Sequence, residues 1–249
     1  MKHLTSTSYG LRRLAVSAVV IAAAAVGVSG CGGGETASTT TRDASTERDA
    51  TTTTGSHYGT HGAMAPETAT VADIAAMGPG PAVGQTFDGF VGLDVCGRFL
   101  ELPEKAPEEL TRSTGMTFTS QGRFSVTPPT AEVAAHHVTV ADLARALGVE
   151  LTGGKLVFGP DVQPPQIEAA GTTIQLAGAT FGPTATCGDT PAELQLWVYT
   201  ADAVATGNSV RKVLDDPQDV PIVEDGMAFV ITVTPESSLP TLPPSALVR

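Results

Sequence analysis

The chain has 249 residues, of which 14 are basic and 26 acidic, so its net charge is −12. A chain this acidic repels nucleic acids and anionic lipid headgroups, and we therefore expect no nucleic-acid partner. Its length allows one or two domains. We expect no cofactor, because no glycine-rich phosphate loop follows a predicted strand and no acidic cluster resembles a calcium loop.

The N-terminus has the layout of an export signal. Lys2, Arg12 and Arg13 precede an apolar run, Leu14–Val28, which has the length of a signal-peptide core and is short for a membrane span. The run ends in Val28-Ser29-Gly30-Cys31. This order of charge, apolar run, small pair and cysteine resembles the lipobox of bacterial lipoproteins.

The lipobox resemblance implies that residues 1–30 are a signal peptide and that Cys31 carries a diacylglyceryl thioether, with a further acyl chain such as palmitate on its amine. The alternative is an ordinary secretory signal with a chance cysteine. Lipidation would make membrane lipid a partner and anchor the protein on the extracytoplasmic face of the cell membrane. The composition, rich in alanine and glycine with more arginine than lysine, indicates an actinobacterial source.

The remaining cysteines, Cys96 and Cys187, are an even pair in an oxidising compartment. We predict a disulfide between them; closing a loop of about 90 residues is worth on the order of 4 kcal/mol. Two separate buried thiols are the alternative.

Residues 31–84 are rich in glycine, threonine and serine and poor in bulky apolar side chains. Ordering them would cost backbone entropy that little burial offsets, so we predict a disordered tether after the lipidated Cys31, with a reach of roughly 40 Å. Within it, Val71–Met77 has a brief helical pattern that Gly78-Pro79 ends.

A folded domain is predicted over residues 85–235. Phe87–Val95 alternates between apolar and small or polar residues, and Cys96-Gly97 can turn it into a first hairpin. A helix should follow Thr139, an N-cap with Asp142 three residues later, and end at Gly148.

Further strands are predicted from alternation and turn residues. They are Met116–Thr119, Arg123–Thr127, Lys155–Phe158, Thr173–Ala177, Glu193–Thr200 and Met227–Val233. Val210–Leu214 is a short element whose type the sequence does not assign. This order favours an α+β domain with helices on one face of a mixed sheet. The proline-rich tail, residues 236–249, is expected to run extended over the surface.

Two segments resemble the β-grasp fold of sulfur-carrier proteins. Thr139–Val149 is similar to the helix that crosses the sheet there, and Val223–Val233 to the last strand. The resemblance implies a β-grasp-like fold only, because the carrier function needs a C-terminal Gly-Gly and this chain ends in Val248-Arg249.

The chain also resembles uncharacterised actinobacterial membrane-anchored extracellular proteins. The shared features are Val95–Leu100, Thr139–Leu143, Cys187-Gly188-Asp189, Asp225–Met227 and Pro243-Pro244-Ser245. This resemblance implies an envelope location and a linked cysteine pair, and it brings no known activity.

The sequence patterns that could indicate metal ligands are weak signals. The adjacent His136 and His137 would point to opposite sides of an extended chain, so a solvated pair is favoured over a metal site. His57 and His61 have helical i, i+4 spacing, but the glycines among them argue against a helix. We predict no metal site.

Three other patterns were weighed. Ser209-Val210-Arg211-Lys212 matches the S-x-x-K of penicillin-recognising serine enzymes, but the S-D-N and K-T-G partners are missing. Glu108-Glu109 is expected to be an exposed charge pair in a loop. Trp197 and Tyr199 share a sheet face, either as an open aromatic surface or, as we favour, as core.

These features favour a non-catalytic lipoprotein module that interacts with an envelope protein or a glycan. The alternatives are an envelope hydrolase with an unrecognised site and a small substrate-binding lipoprotein. Because no recognisable catalytic set occurs, we do not expect an enzyme.

Overall fold

The computed structural model describes residues 66–119, 122–207 and 209–248. The predicted signal peptide, Cys31, the pair His57 and His61 and most of the predicted tether lie outside the described residues. In the described part, none of the helices has the length and apolar character needed to span a membrane.

The described residues form fifteen strands, six α-helices and one 3₁₀ helix. The strands are β1 (Glu67–Ala69), β2 (Phe87–Val95), β3 (Arg98–Phe99), β4 (Met116–Thr119), β5 (Arg123–Val126), β6 (Val149–Thr152), β7 (Lys155–Phe158), β8 (Gln166–Ala169), β9 (Thr172–Gln175), β10 (Thr180–Phe181), β11 (Thr186–Cys187), β12 (Thr190–Pro191), β13 (Glu193–Tyr199), β14 (Val210–Val213) and β15 (Ala228–Thr234). The helices are α1 (Val71–Ala75), α2 (Glu108–Thr114), α3 (Ala131–His136), α4 (Val140–Ala146), α5 (Ala201–Thr206) and α6 (Pro244–Leu247), with the 3₁₀ helix at Pro217–Asp219.

The main sheet has the strand order β1-β14-β13-β15-β2-β5-β4, and β3 pairs with β2. The first long strand, β2, and the last strand, β15, are parallel neighbours, with Val91 opposite Phe229. The other pairs are antiparallel except for β1, which runs parallel to β14. The predicted α+β class with a mixed sheet is confirmed.

One face of this sheet builds the main core together with α4. Val91, Leu93 and Val95 of β2 lie in the same buried cluster as Leu143 and Ala144 of α4. The helix begins after Thr139, whose backbone N–H donates to Oδ2 of Asp142 at 3.0 Å, as a capping box requires. Gly148 follows its last turn at φ +77°, a backbone angle that favours glycine.

The other face of the sheet is buried as well. Trp197 and Tyr199 of β13 are 1% and 5% exposed and pack with residues of α5 and α6, so their assignment to a core is confirmed. The Tyr199 hydroxyl donates to the carbonyl oxygen of Pro240 at 2.9 Å. The expectation that helices cover only one face of the sheet is therefore wrong, because the second face is also apolar and needs cover.

Three smaller sheets are formed by β6, β7 and β10, by β8 and β9, and by β11 and β12. A disulfide between Cys96 and Cys187 joins the turn after β2 to β11, as predicted. In that turn both Cys96 and Gly97 have positive φ, 56° and 82°, which is the backbone of a two-residue hairpin. Arg98 adds a second link, because its guanidinium donates to the carbonyl of Glu168 at 2.9 Å.

The predicted start of the folded domain at residue 85 is wrong. Strand β1 pairs with β14, and α1 follows with Thr70 as its N-cap and a fully buried Ile74. The polar composition of residues 31–84 taken together concealed this short stretch, in which Ala69 and Ile74 are buried and Val71 and Met77 pack against the main core.

The predicted extended tail is also corrected. Residues 244–247 form α6, and Leu242 and Ala246 pack on the second face, while Leu239, Leu247 and Val248 are exposed. The Ser245 hydroxyl donates to the carbonyl of Gly122 at 3.3 Å, and the Arg123 guanidinium donates to the carbonyl of Val248 at 2.6 Å. The tail is thus part of the folded unit.

Replacing Ile74 tests whether the chain before residue 85 belongs to this unit. Ile74→Ala should lower the free energy of unfolding by about 2–5 kcal/mol, because it removes a fully buried side chain. Val83→Ala is the control, since Val83 is 52% exposed and its loss should cost less than about 0.5 kcal/mol. Urea denaturation followed by Trp197 fluorescence measures both; equal, small effects would contradict the corrected boundary.

Candidate functional site

The segment 100–107, which leads from β3 to α2, separates two pockets. It starts beside Phe99, whose ring lies over Gly92 of β2. A Cβ at Gly92 would come within 2.6 Å of Cε1 of Phe99, so this close approach requires glycine. Leu100 and Leu102 are half-buried and pack against the main core. We call residues 100–107 the dividing segment.

The first pocket, here the helix-side pocket, has a volume of about 550 Å³. It lies between the dividing segment, the C-terminal end of α4, β6 and the loop after β7. Its walls are mainly apolar: Leu93, Leu100, Leu102, Pro103, Pro107, Leu147, Val149, Phe158, Pro160 and Val162. Lys105 and Asp161 are exposed at its surface.

The second pocket, here the tail-side pocket, has a volume of about 580 Å³. It lies on the other side of the dividing segment, between β2 and the C-terminal tail. Val91, Phe99, Leu100, Leu102, Pro244 and Val248 give it apolar walls. Its ionisable lining residues are two exposed carboxylates, Glu101 and Glu104.

Both volumes lie in the range of known ligand pockets, which are mostly apolar clefts with a few polar groups. Leu100, Glu101 and Leu102 line both pockets, so the two share a wall. We call the dividing segment with its two pockets the candidate groove. Its charged lining residues are Glu101, Glu104 and Asp161 against Lys105, which gives it an acidic rim.

A separate cleft of about 380 Å³ surrounds Asp94 of β2. This side chain lies on the second face of the sheet and is only 5% exposed. Its Oδ2 accepts a hydrogen bond from the Thr232 hydroxyl at 3.3 Å, whereas Oδ1 has no partner among the described residues. The disulfide and tail residues 235–241 complete the walls.

Burial raises the pKa of the Asp94 carboxyl above its ordinary value of 3.8. The hydrogen bond from Thr232 and the backbone N–H groups of Gly97 and Arg98 act in the opposite direction and offset only part of the effect. An ionisable group that is buried in a cleft with a shifted pKa is a functional candidate.

Sequence reasoning missed Asp94 as a site. The alternation of β2 already placed it opposite Val91, Leu93 and Val95, and a carboxylate within a strand, two residues before a cysteine, was the available signal. The sequence pattern did not show that residues of the tail line the same cleft.

Those residues singled out from the sequence that the structure describes do not assemble a catalytic centre. His136 is exposed, and His137, at φ +57°, is half-buried with Nδ1 next to Gly80 and no partner among the described residues. Nζ of Lys212 pairs with Glu193 at 2.6 Å, while Ser209 is exposed. In the described part of the chain, no group of three or more histidine, cysteine or acidic side chains is placed to hold a metal ion.

The exposed acidic pair Glu108-Glu109 lies in the first turn of α2 and not in a loop; negative charge is favourable there, and its predicted exposure is confirmed. Comparison of the chain with family models, with curated proteins and with solved structures finds no match.

Replacing Asp94 with asparagine should change how stability depends on pH. Because the pKa of Asp94 is raised on folding, its ionisation destabilises the folded state. This penalty is absent below the unfolded pKa and grows as pH rises through the folded pKa. Asp94→Asn should thus be as stable as the wild type near pH 3 and more stable at pH 7, as measured by urea denaturation across pH. A pH-independent difference would contradict this assignment.

Proposed function

We propose that this protein is a lipid-anchored module on the extracytoplasmic face of the cell membrane, where it binds a partner protein through the candidate groove and catalyses no reaction. The anchor is Cys31 within the lipobox-like sequence Val28-Ser29-Gly30-Cys31. The proposal has two parts, a cellular location and a binding role, and each has its own test.

The disulfide between Cys96 and Cys187 is the observation that most strongly supports the proposed location. Disulfides persist in exported proteins and are rare in the reducing cytosol. The chain has three cysteines, and this bond accounts for two of them. Cys31, directly after the small pair Ser29-Gly30, is then the cysteine left for lipidation.

Charge supports attachment through acyl chains. After removal of residues 1–30 the chain would carry 11 basic and 26 acidic residues, a net charge of −15. Such a chain is repelled by anionic headgroups, so electrostatic attraction does not hold it at a membrane. Two or more acyl chains are sufficient for stable anchoring.

The candidate groove supports the binding role. Its apolar walls favour aliphatic or aromatic side chains of a partner, and its acidic rim favours lysine or arginine beside them. The aromatic side chains along it, Phe99 and Phe158, do not form a flat stacking platform together, because each lines a different pocket. We therefore favour a basic, partly apolar protein segment over a glycan.

Replacing Cys31 tests the proposed location. Metabolic labelling with an alkyne fatty acid should mark the wild-type protein in its native host, and Cys31→Ala should abolish the label and release the protein from the membrane fraction or leave it unprocessed. Ser29→Ala keeps a small residue before the cysteine and is the control that should retain the label. Unchanged membrane retention of Cys31→Ala would refute the lipid anchor.

Site-directed crosslinking in intact cells tests the binding role. A photoreactive amino acid in place of Glu104, which is exposed on the groove rim, should yield a discrete crosslinked protein. The same replacement of Leu214, which is 63% exposed and does not line the groove, is the control and should yield none. The additional change Glu101→Lys should reduce the Glu104 adduct at least several-fold, because it removes rim charge.

Two results would contradict the binding role. One is the same adduct from position 214 as from position 104, and the other is adduct formation that Glu101→Lys leaves unchanged. A glycan-containing adduct would replace the protein partner with the alternative ligand class.

A further inference from the structure

We propose that the Asp94 cleft is a second binding site, which takes a small ligand with a primary ammonium group attached to an apolar body. The cleft is distinct from the candidate groove, and the inference does not depend on the proposed function. It follows from the unpartnered oxygen of Asp94, the lining of the cleft and its size.

The first step is the unpartnered oxygen. Asp94 is 5% exposed, its Oδ1 is buried, and no donor among the described residues reaches that atom. Buried carboxylate oxygens in folded proteins normally accept hydrogen bonds, and an exception calls for an explanation. A ligand donor in the cleft supplies one when the Asp94 side chain turns this oxygen, which has no accessible surface in the structure, toward the cleft. Thr232 donates to the other oxygen, Oδ2.

The second step is charge. Asp94 is the one ionisable side chain among the residues that line the cleft, and no lysine or arginine lines it. The carboxylate is therefore not neutralised by a lining side chain, and a cationic donor would form a charge-assisted hydrogen bond, which is stronger than a neutral one. A divalent metal ion is a poorer match, because calcium takes six to eight oxygen ligands and usually several carboxylates.

The third step is the rest of the lining. Phe99, Leu239 and Pro240 give the cleft apolar walls, and the hydroxyl-bearing Thr190, Ser238 and Thr241 lie among them. An ammonium group has three donors, so hydroxyl or carbonyl oxygens can share it with the carboxylate. The apolar walls suit a hydrocarbon body beside that charge.

The fourth step is size. A volume of about 380 Å³ is at the lower end of the range for small-molecule pockets. At about 30 Å³ for each water molecule it is equivalent to roughly a dozen waters, which is room for a compact amine rather than a peptide or a polysaccharide. The site therefore favours a small molecule.

The test is a titration of the full chain at pH 7 with benzylamine, and with benzyl alcohol as an uncharged ligand of the same shape. Backbone amide signals of Thr234 and Ser238, which line the cleft, report binding in NMR spectra. Benzylamine should shift them saturably, and benzyl alcohol should bind about tenfold or more weakly because it lacks the ionic hydrogen bond.

Two variants show whether the carboxylate is responsible. Asp94→Asn should weaken benzylamine binding about tenfold or more and leave the weak binding of benzyl alcohol unchanged. Glu132→Gln, which removes an exposed carboxylate of α3 that lines neither the cleft nor the candidate groove, should bind benzylamine like the wild type. Thermal unfolding of each variant checks that it is folded.

Three results would overturn the proposal: no saturable shift with benzylamine in the wild type, equal affinity for the amine and the alcohol, or undiminished amine binding in Asp94→Asn. The comparison of the two ligands needs only the wild-type protein, so it decides the question even where a variant fails to fold. None of these outcomes bears on the lipid anchor or on crosslinking at the groove.

Discussion

The structure depends on a sheet that is apolar on both faces. All seven residues of β15 are buried, and alternate residues belong to different cores: Phe229 and Ile231 to the main core, Ala228 and Val230 to the second. A strand buried on both faces needs cover on both, because each exposed apolar face would forgo roughly 25 cal/mol for every Å². The helix α4 and the small sheets cover one face, and α5 and the C-terminal tail cover the other.

This constraint also explains where the candidate sites lie. The tail is held on the second face by Tyr199 and Arg123, and its residues form walls of both the tail-side pocket and the Asp94 cleft. Phe99, whose ring lies on Gly92, lines both of these cavities. The short hairpin β2–β3 therefore supplies a wall to both of these cavities. The packing of the tail on the second face of the sheet thus also creates these concave surfaces.

The sequence predicted the features that depend on local chemistry. The bounds of β2 and β4 are as predicted, because alternation and the turn residues Cys96-Gly97 and Gly122 are local signals. The cap of α4 at Thr139 and Asp142 is also local. The missed features depend on distant partners. Strand β1 has three residues and pairs with β14, and Asp94 accepts a hydrogen bond from Thr232, 138 residues away, in a cleft that the tail also lines. No periodicity in the sequence carries that information.

The disulfide makes the structure around the Asp94 cleft depend on the redox state of the protein's compartment. Cys96 follows β2 two residues after Asp94, and Cys187 belongs to β11, so their bond fixes the segment containing the small sheets against the edge of the cleft. Closing a loop of this length removes on the order of 4 kcal/mol of chain entropy from the unfolded state. In a reducing compartment the link would be lost, and the Arg98–Glu168 hydrogen bond, worth about 1 kcal/mol, would not replace it. Both cysteines line the cleft, so the oxidised pair forms part of its wall, which agrees with the proposed location outside the cytosol.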